Sequence, residues 1–199
     1  KKNNFFGGHG IVGAQAPIGT GVAFALKYQN EKNICRTYIG DGAMNNGQVF
    51  ESFNIASLWK LPVLYIIENN KYGMGTSVNR AAAGTDLYKR GKPFGIPGEM
   101  VDGMNVFKVI DAAHKAAKYV KDGKGPYILE VRTYRYRGHS MSDPANYRTK
   151  KELENFKTKD PIQIAHEKII KKKIATEKEL EKINKDIIKK IKNAVDYAL

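Results

Sequence analysis

Asp41 stands between two glycines in Gly40-Asp41-Gly42, and after 26 intervening residues the chain reads Asn69-Asn70. Asp supplies a hard carboxylate oxygen and Asn a neutral amide oxygen. Magnesium suits such a pair, because water and phosphate complete its octahedral shell. The flanking glycines let the backbone approach phosphate oxygens, and the N-terminus of a following helix favours their charge. A lone Asp-Gly is ordinarily a turn; the Asn pair at the next strand end shifts the reading to a diphosphate clamped through magnesium. A third polar cluster, Arg137-Gly138-His139-Ser140, follows a later strand and sets His139 apart from His9, His114 and His166. His114 falls on an amphipathic helix and is expected to face solvent.

These residues need elements that bring them to one edge. Helical spacing of Ile18, Val22, Ala25 and Leu26 predicts a helix from Gly13 to Tyr28. Asn33 to Ile39 reads as a short strand ending at the Gly-Asp-Gly, followed by a helix at about Gln48 to Trp59. The run "LPVLYIIEN" has the continuous apolar character of a parallel strand buried on both faces. It leads into the glycine-rich loop "NNKYGMGTS". Residues 81–98 read as irregular, with a helical piece at "DLYKR". A helix through "NVFKVIDAAHKAAKYVKDG" is closed by Gly123, and "PYILEVRTYRY" is the third strand.

Alternating helices and strands imply a parallel α/β sheet with right-handed crossovers. Ligands of such sheets bind beyond the carboxyl ends of the strands, where all three polar clusters fall. Residues 1–150 are expected to form this α/β domain and 151–199 a helical extension of it. In that extension Asp160-Pro161 marks one helix start and Thr176-x-x-Glu179 is a capping box ahead of another. Leu180, Ile183, Ile187, Ile191 and Ala194 share a face there, a packing stripe.

The 199 residues carry a formal net charge of +14, which raises a rival reading, a basic non-catalytic nucleic-acid-binding module. The lysines after residue 149 alternate with Glu and Asp, as in "EKELEKINKD", so they read as solvated helix faces. The chain also lacks the aromatic and zinc motifs of such modules. No apolar run approaches the roughly 20 residues that span a bilayer. The single cysteine, Cys35, excludes an internal disulfide and reads as an inert buried thiol of a reducing compartment. The first residue is Lys, and the expectation is a fragment. Gly8 to Gly13 spells G-x-G-x-x-G, but "KKNNFF" before it is too short and polar to be the strand that a dinucleotide fingerprint requires.

The Gly-Asp-Gly and Asn-Asn spacing is the motif of thiamine-diphosphate enzymes. The stretches "GGHGIVGAQ", "GDGAMNNGQVFESFN", "LWKLPVLYIIENNKYGMGTSV" and "TYRYRGHSMSDP" resemble the alpha subunit of the pyruvate dehydrogenase first component. That subunit belongs to the thiamine-diphosphate-dependent 2-oxo-acid dehydrogenases. The resemblance runs from about Phe5 to Ile162 and implies the thiamine-diphosphate-binding fold. It implies that Asp41, Asn70 and the carbonyl of Tyr72 ligate Mg2+, and that Gly40, Gly42 and Ala43 line the diphosphate. Gly10 and Val12 would hold the aminopyrimidine ring through their backbones. His139, at the mouth of the site, would contact the diphosphate and help pass the product onward. Ser140 and Ser77 match two positions phosphorylated in mitochondrial enzymes.

The implied activity is oxidative decarboxylation of pyruvate, the acetyl group passing to the lipoyl domain of dihydrolipoyl acetyltransferase. Activity would require a beta subunit, two alpha with two beta, since no glutamate here has a motif for activating the aminopyrimidine. Family alpha subunits are longer at the N-terminus, so cofactor contacts there are expected to be missing. The third phospho-position falls near Asn146, which points to a bacterial cytoplasm, with the mitochondrial matrix as the alternative. The nearest enzymatic rival is an acetoin or branched-chain 2-oxo-acid dehydrogenase alpha subunit.

Overall fold

The computed structural model describes residues 4–198. The chain forms two compact units, one ending at Thr158 and one beginning at Lys159.

The first unit is built on four parallel strands: β1 (Cys35–Gly40), β2 (Val63–Asn69), β5 (Gly98–Asp102) and β6 (Tyr127–Arg132). Their order across the sheet is β1-β2-β6-β5. Helices α1 (Gln15–Tyr28) and α2 (Gly47–Leu58) and a 3-10 helix (Leu87–Phe94) bring apolar residues to one face, and α4 (Val106–Lys121) covers the other. The α/β class with a parallel sheet between helices is therefore the observed one.

The central strand β2 buries six of its seven residues, all except Glu68, as a strand with helices on both faces must. Tyr65 in β2 is fully buried, so its hydroxyl needs partners. It lies 2.6 Å from Thr20 Oγ1 on α1 and donates to the Ser52 carbonyl on α2 at 3.3 Å. One side chain thus ties both helices to the sheet. A Cβ on Gly19 would stand 2.6 Å from Thr37 Cβ, so α1 lies against β1 at a distance that only glycine permits. That contact explains the run of small residues in "AQAPIGTG".

The structure departs from the sequence reading in three places. The sheet has a fourth strand, β5. It is short, half-exposed and carries Glu99 and Asp102, so its alternation is weak. The glycine-rich loop after Asn70 contains a small hairpin, β3 (Tyr72–Gly73) with β4 (Thr76–Ser77), followed by the single turn α3 (Val78–Ala81). The third strand stops at Arg132. Residues 133–136 run on without ladder pairing, so Arg137 to Ser140 lie in a loop beyond the strand rather than at its end.

After that loop comes α5 (Lys150–Lys157), capped by the Thr149 hydroxyl. The second unit contains α6 (Pro161–Lys171) and α7 (Glu177–Ala198). Asp160 caps α6 by accepting from the backbone of Ile162 at 2.8 Å. Thr176 and Glu179 exchange the two hydrogen bonds of a capping box, at 2.8 and 3.3 Å. The α7 residues Ile183, Ile187 and Ile191 are exposed.

Candidate functional site

The carboxyl ends of β1 and β2 lie side by side, because the strands pair in register from Cys35 with Val63 to Gly40 with Glu68. The next residue, Asp41, is only 5% exposed. Burial pushes its carboxyl above the usual carboxylate range. Its own backbone N–H, that of Asn70 and the charge of Arg135 pull it back, while Glu130 adds to the rise. A buried carboxylate in such surroundings is charged only at a cost, and a cation would relieve that cost.

The turn after β2 adjoins Asp41, whose carboxylate accepts from the Asn70 backbone N–H. Asn69 and Asn70 each fold into an Asx turn, Asn69 Oδ1 accepting from the Lys71 backbone at 3.0 Å and Asn70 Oδ1 from that of Tyr72 at 3.3 Å. Lys71 lies at φ +75° and Met74 at φ +55°, left-handed conformations that cost a residue with a side chain about 1–2 kcal/mol. Such strain persists where surrounding contacts impose it. One of those contacts lies beneath: Glu130, fully buried in β6, accepts from Asn69 Nδ2 at 2.8 Å, Tyr88 N at 3.0 Å and Arg132 Nε at 2.8 Å. The hairpin then lies against the first loop, where a Cβ on Gly73 would stand 3.2 Å from Gly42 Cα.

A cavity of about 260 Å3 opens between these loops, lined by Asp41, Gly42, Asn45, Gly73 and Thr76 among others. A larger, shallower groove of about 540 Å3 lies at the far ends of α1 and α2, among Phe24, Tyr28, Leu58 and Trp59. It carries none of the polar groups singled out above. Gly42 lines the cavity, whereas Gly40 and Ala43, its neighbours on either side of Asp41-Gly42, are not among the lining residues; Gly40 is exposed and Ala43 opens a 3-10 turn.

The oxygens of the cluster already face a positive charge. Arg135 Nη1 donates to the Tyr72 carbonyl at 3.1 Å and to Asn70 Oδ1 at 3.5 Å. Tyr72 itself is buried, and its hydroxyl donates to both carboxylate oxygens of Glu152 on α5, each at 3.1 Å. Burial first, then Glu152, raises that phenol to about 12.

The other singled-out residues are less central. Gly10 and Val12 lie in an exposed loop, and the Val12 carbonyl accepts from Asn46 Nδ2 at 3.0 Å and Gln48 Nε2 at 3.2 Å. That places the loop beside the turn following Gly42. His139 is exposed, and its backbone N–H donates to Asp143 Oδ2 at 2.7 Å. Ser140 Oγ lies 3.1 Å from Ser142 Oγ on the same loop, and half-buried Ser77 pairs with Tyr72 across the hairpin. The structure brings Asp41, Asn70 and Tyr72 together; His139 reaches them only by way of the loop that holds it. Cys35 is partly buried and its thiol is pushed up to about 11 by burial, which leaves it inert at neutral pH.

The sequence reading missed Glu130, Arg135 and Glu152. Glu130 is one charge inside a strand, a pattern that signals a buried, satisfied carboxylate. Arg135 sits within "YRYR", where nothing distinguishes it from Arg137.

A family model described as "Dehydrogenase E1 component" matches residues 1–199. The chain belongs to the dehydrogenase E1 component family. Within this E1 family it is 56% identical over 196 residues to a Rickettsia felis protein named pyruvate dehydrogenase E1 component subunit alpha, covering 98% of this chain and 60% of that protein. A Rhizobium meliloti protein of the same name is 54% identical over 199 residues, covering 100% of this chain and 57% of its own length. The human somatic mitochondrial form is 51% identical over 197 residues, or 98% of this chain and 50% of the human protein. This E1 chain thus spans 50–60% of the length of these relatives.

Proposed function

We propose that this chain is the cofactor-binding part of a pyruvate dehydrogenase alpha subunit, binding thiamine diphosphate through Mg2+. The observation that carries the reading is the cluster of Asp41 carboxylate, Asn70 amide oxygen and Tyr72 carbonyl at adjacent strand ends. The donor set fits a hard dication: three protein oxygens, one of them a buried carboxylate, with a guanidinium already drawn to the other two. The cavity of about 260 Å3 beside Asp41, Gly42 and Gly73 is the space a diphosphate would enter. Relatives named as pyruvate dehydrogenase alpha subunits, at 51–56% identity, support the substrate.

Thiamine diphosphate, when bound, supplies the electron sink for decarboxylation of a 2-oxo acid. This chain's residues bind and orient it. Asp41, Asn70 and the Tyr72 carbonyl hold the cation, and the backbones of Gly40, Gly42 and Ala43 line the diphosphate. Gly10 and Val12 contact the pyrimidine end from the loop pinned at Asn46. His139, on the loop after β6, would contact the diphosphate and help pass the product onward. The beta subunit completes the site in an assembly of two alpha with two beta, and the lipoyl domain of the acetyltransferase accepts the acetyl group. The higher identity to bacterial than to human relatives, 54–56% against 51%, favours a bacterial cytoplasm over the mitochondrial matrix. Phosphate on Ser140 would place charge beside an anionic cofactor and disorder the loop; Ser77 is the second such position.

The test is calorimetric titration of the complete, assembled protein with Mg2+ and thiamine diphosphate. Binding abolished by Asp41→Ala supports the reading. Salt-sensitive DNA binding that ignores this substitution would favour the basic-module alternative. Turnover of pyruvate, acetoin and 2-oxoisovalerate by the same assembly distinguishes the pyruvate enzyme from its acetoin and branched-chain counterparts.

A further inference from the structure

The Gly-Asp-Gly turn runs on into Asn45 and Asn46, and the fold sends these neighbours opposite ways. Asn46 Nδ2 donates to the Val12 carbonyl at 3.0 Å. Asn45 instead lines the cavity beside Asp41 and Gly42, and it carries the one amide side chain among the described lining residues. Its oxygen is taken. Arg90 Nη2 donates to Asn45 Oδ1 at 2.9 Å, while Nη1 of the same fork donates to the Met44 carbonyl at 2.6 Å. An arginine has only donors, so the atom facing it must be the amide oxygen. Asn45 Nδ2 in turn donates to the Gly42 carbonyl at 3.4 Å, a group that can only accept. Both contacts fix the same amide orientation. Nδ2 carries two hydrogens, and Gly42 uses one, which leaves a second for the cavity.

Arg90 is itself held by the core. It projects from the 3-10 helix Leu87–Phe94, in which Leu87 is fully buried and a Cβ on Gly91 would stand 2.5 Å from Ile128 Cδ1. Met44, on the receiving side, is also fully buried. Burial lowers the pKa of the half-buried guanidinium and the charge of Glu130 restores part of it, so the group stays a cation.

We propose that Asn45 is a further diphosphate contact and that Arg90 is the positioning residue that turns its amide N–H toward the anion. The proposal rests on the reading of this cavity as the cation–diphosphate site. A diphosphate offers acceptors alone, and an amide free to flip would also present its oxygen to it. Arg90 removes that option. Its planar fork holds the Met44 carbonyl and the Asn45 amide in one orientation, which a point charge does not. The side chain that braces the turn thereby sets the polarity of the cavity wall. The adjacent asparagines then serve both ends of the cofactor, Asn46 through the Val12 loop and Asn45 at the phosphates.

The experiment uses the complete, assembled protein and two ligands read by calorimetry, Mg2+–thiamine diphosphate and Mg2+–pyrophosphate. Asn45→Ala should weaken both about tenfold, the worth of one hydrogen bond to a charged group. Asn45→Asp keeps an acceptor for Arg90 but faces the anion with a negative charge, and should weaken both about a hundredfold. Arg90→Met should cost about tenfold, and in that background Asn45→Ala should cost less than about twofold more. Arg90→Lys keeps the charge without the fork and should restore little. Mn2+ alone, read by electron paramagnetic resonance, should bind the Arg90→Met protein within about twofold of wild type, because the cation's own oxygens are untouched. Wild-type affinity in Asn45→Asp overturns the proposal, as does a loss confined to thiamine diphosphate, which would place Asn45 at the ring end. Additive losses for Arg90→Met and Asn45→Ala, or a parallel loss of bare Mn2+, overturn the positioning role. A wild type that binds neither ligand overturns the reading of the cavity as well.

Discussion

The turn after β2 and the loop after β6 both serve the same edge of the sheet, yet they are held in opposite ways. The turn is fixed from below by a fully buried charge, Glu130, and from the side by Gly73 against Gly42. The loop between Arg137 and Arg148 is largely exposed and is tied by side chains: Asp143 caps it internally, Tyr147 and Arg135 tether it, and Arg148 donates to the carbonyls of Arg135 and Tyr136. The lesson is a division of labour. Under the proposed function, the groups that would hold the cation sit on backbone anchored in the core, whereas His139 sits on an exposed loop, the kind of backbone that opens locally.

Substitutions in the turn should therefore act on binding and global stability, and those in the loop on local opening. The largest expected effect is Asn70→Ala, which removes one oxygen of the proposed cation set. Mg2+–thiamine diphosphate affinity should fall by about a hundredfold or more, beyond what loss of an outer-shell group costs, as read by calorimetry. Glu130→Gln comes next. It leaves Arg132 without its buried carboxylate and weakens the support under Asn69, at about 2–3 kcal/mol of unfolding free energy by denaturant titration.

Asp41→Asn should split stability from binding. The folded-state pKa of Asp41 is raised, so between its unfolded and folded values the folded state holds more protons than the unfolded one. Stability without cofactor should accordingly fall as pH rises through that window. The Asn variant should lack this pH-dependent loss of stability without cofactor, while binding no cation. Denaturant midpoints taken across the window give the sign.

Tyr72→Phe is milder: it removes the hydrogen bonds to Glu152 at about 1 kcal/mol but keeps the carbonyl, so cation affinity should stay within about twofold. Asp143→Ala should leave the melting temperature nearly unchanged and speed cleavage of the loop. A large loss of global stability from Asp143→Ala, or none from Glu130→Gln, would break the contrast between the two regions.

Much of the turn was legible in the sequence, and much of the loop was not. Gly-Asp-Gly and Asn-Asn could be placed because a continuous apolar strand precedes the second pair, so burial and chain direction followed from composition. Helix ends at Asp160, Thr176 and Gly123 were legible because capping is local chemistry. β5 was not, because a five-residue edge strand carrying Glu99 and Asp102, with weak alternation, looks like a connection. The end of β6 was not, because "TYRY" has strand-like residues whose tyrosines instead build a separate cluster, Tyr134 stacking on Phe156 at 4.0 Å. Glu130, Arg135 and Glu152 escaped for one reason: their importance lies in partners 42 to 80 residues away, and no local pattern encodes such pairings.

The most direct measurement is a crystal structure of the complete, assembled protein with Mg2+ and thiamine diphosphate. The account predicts one octahedral cation bound by Asp41, Asn70 Oδ1 and the Tyr72 carbonyl, its remaining positions taken by diphosphate oxygen and water. A cofactor bound with Asp41 and Asn70 both outside the cation's coordination shell would contradict it.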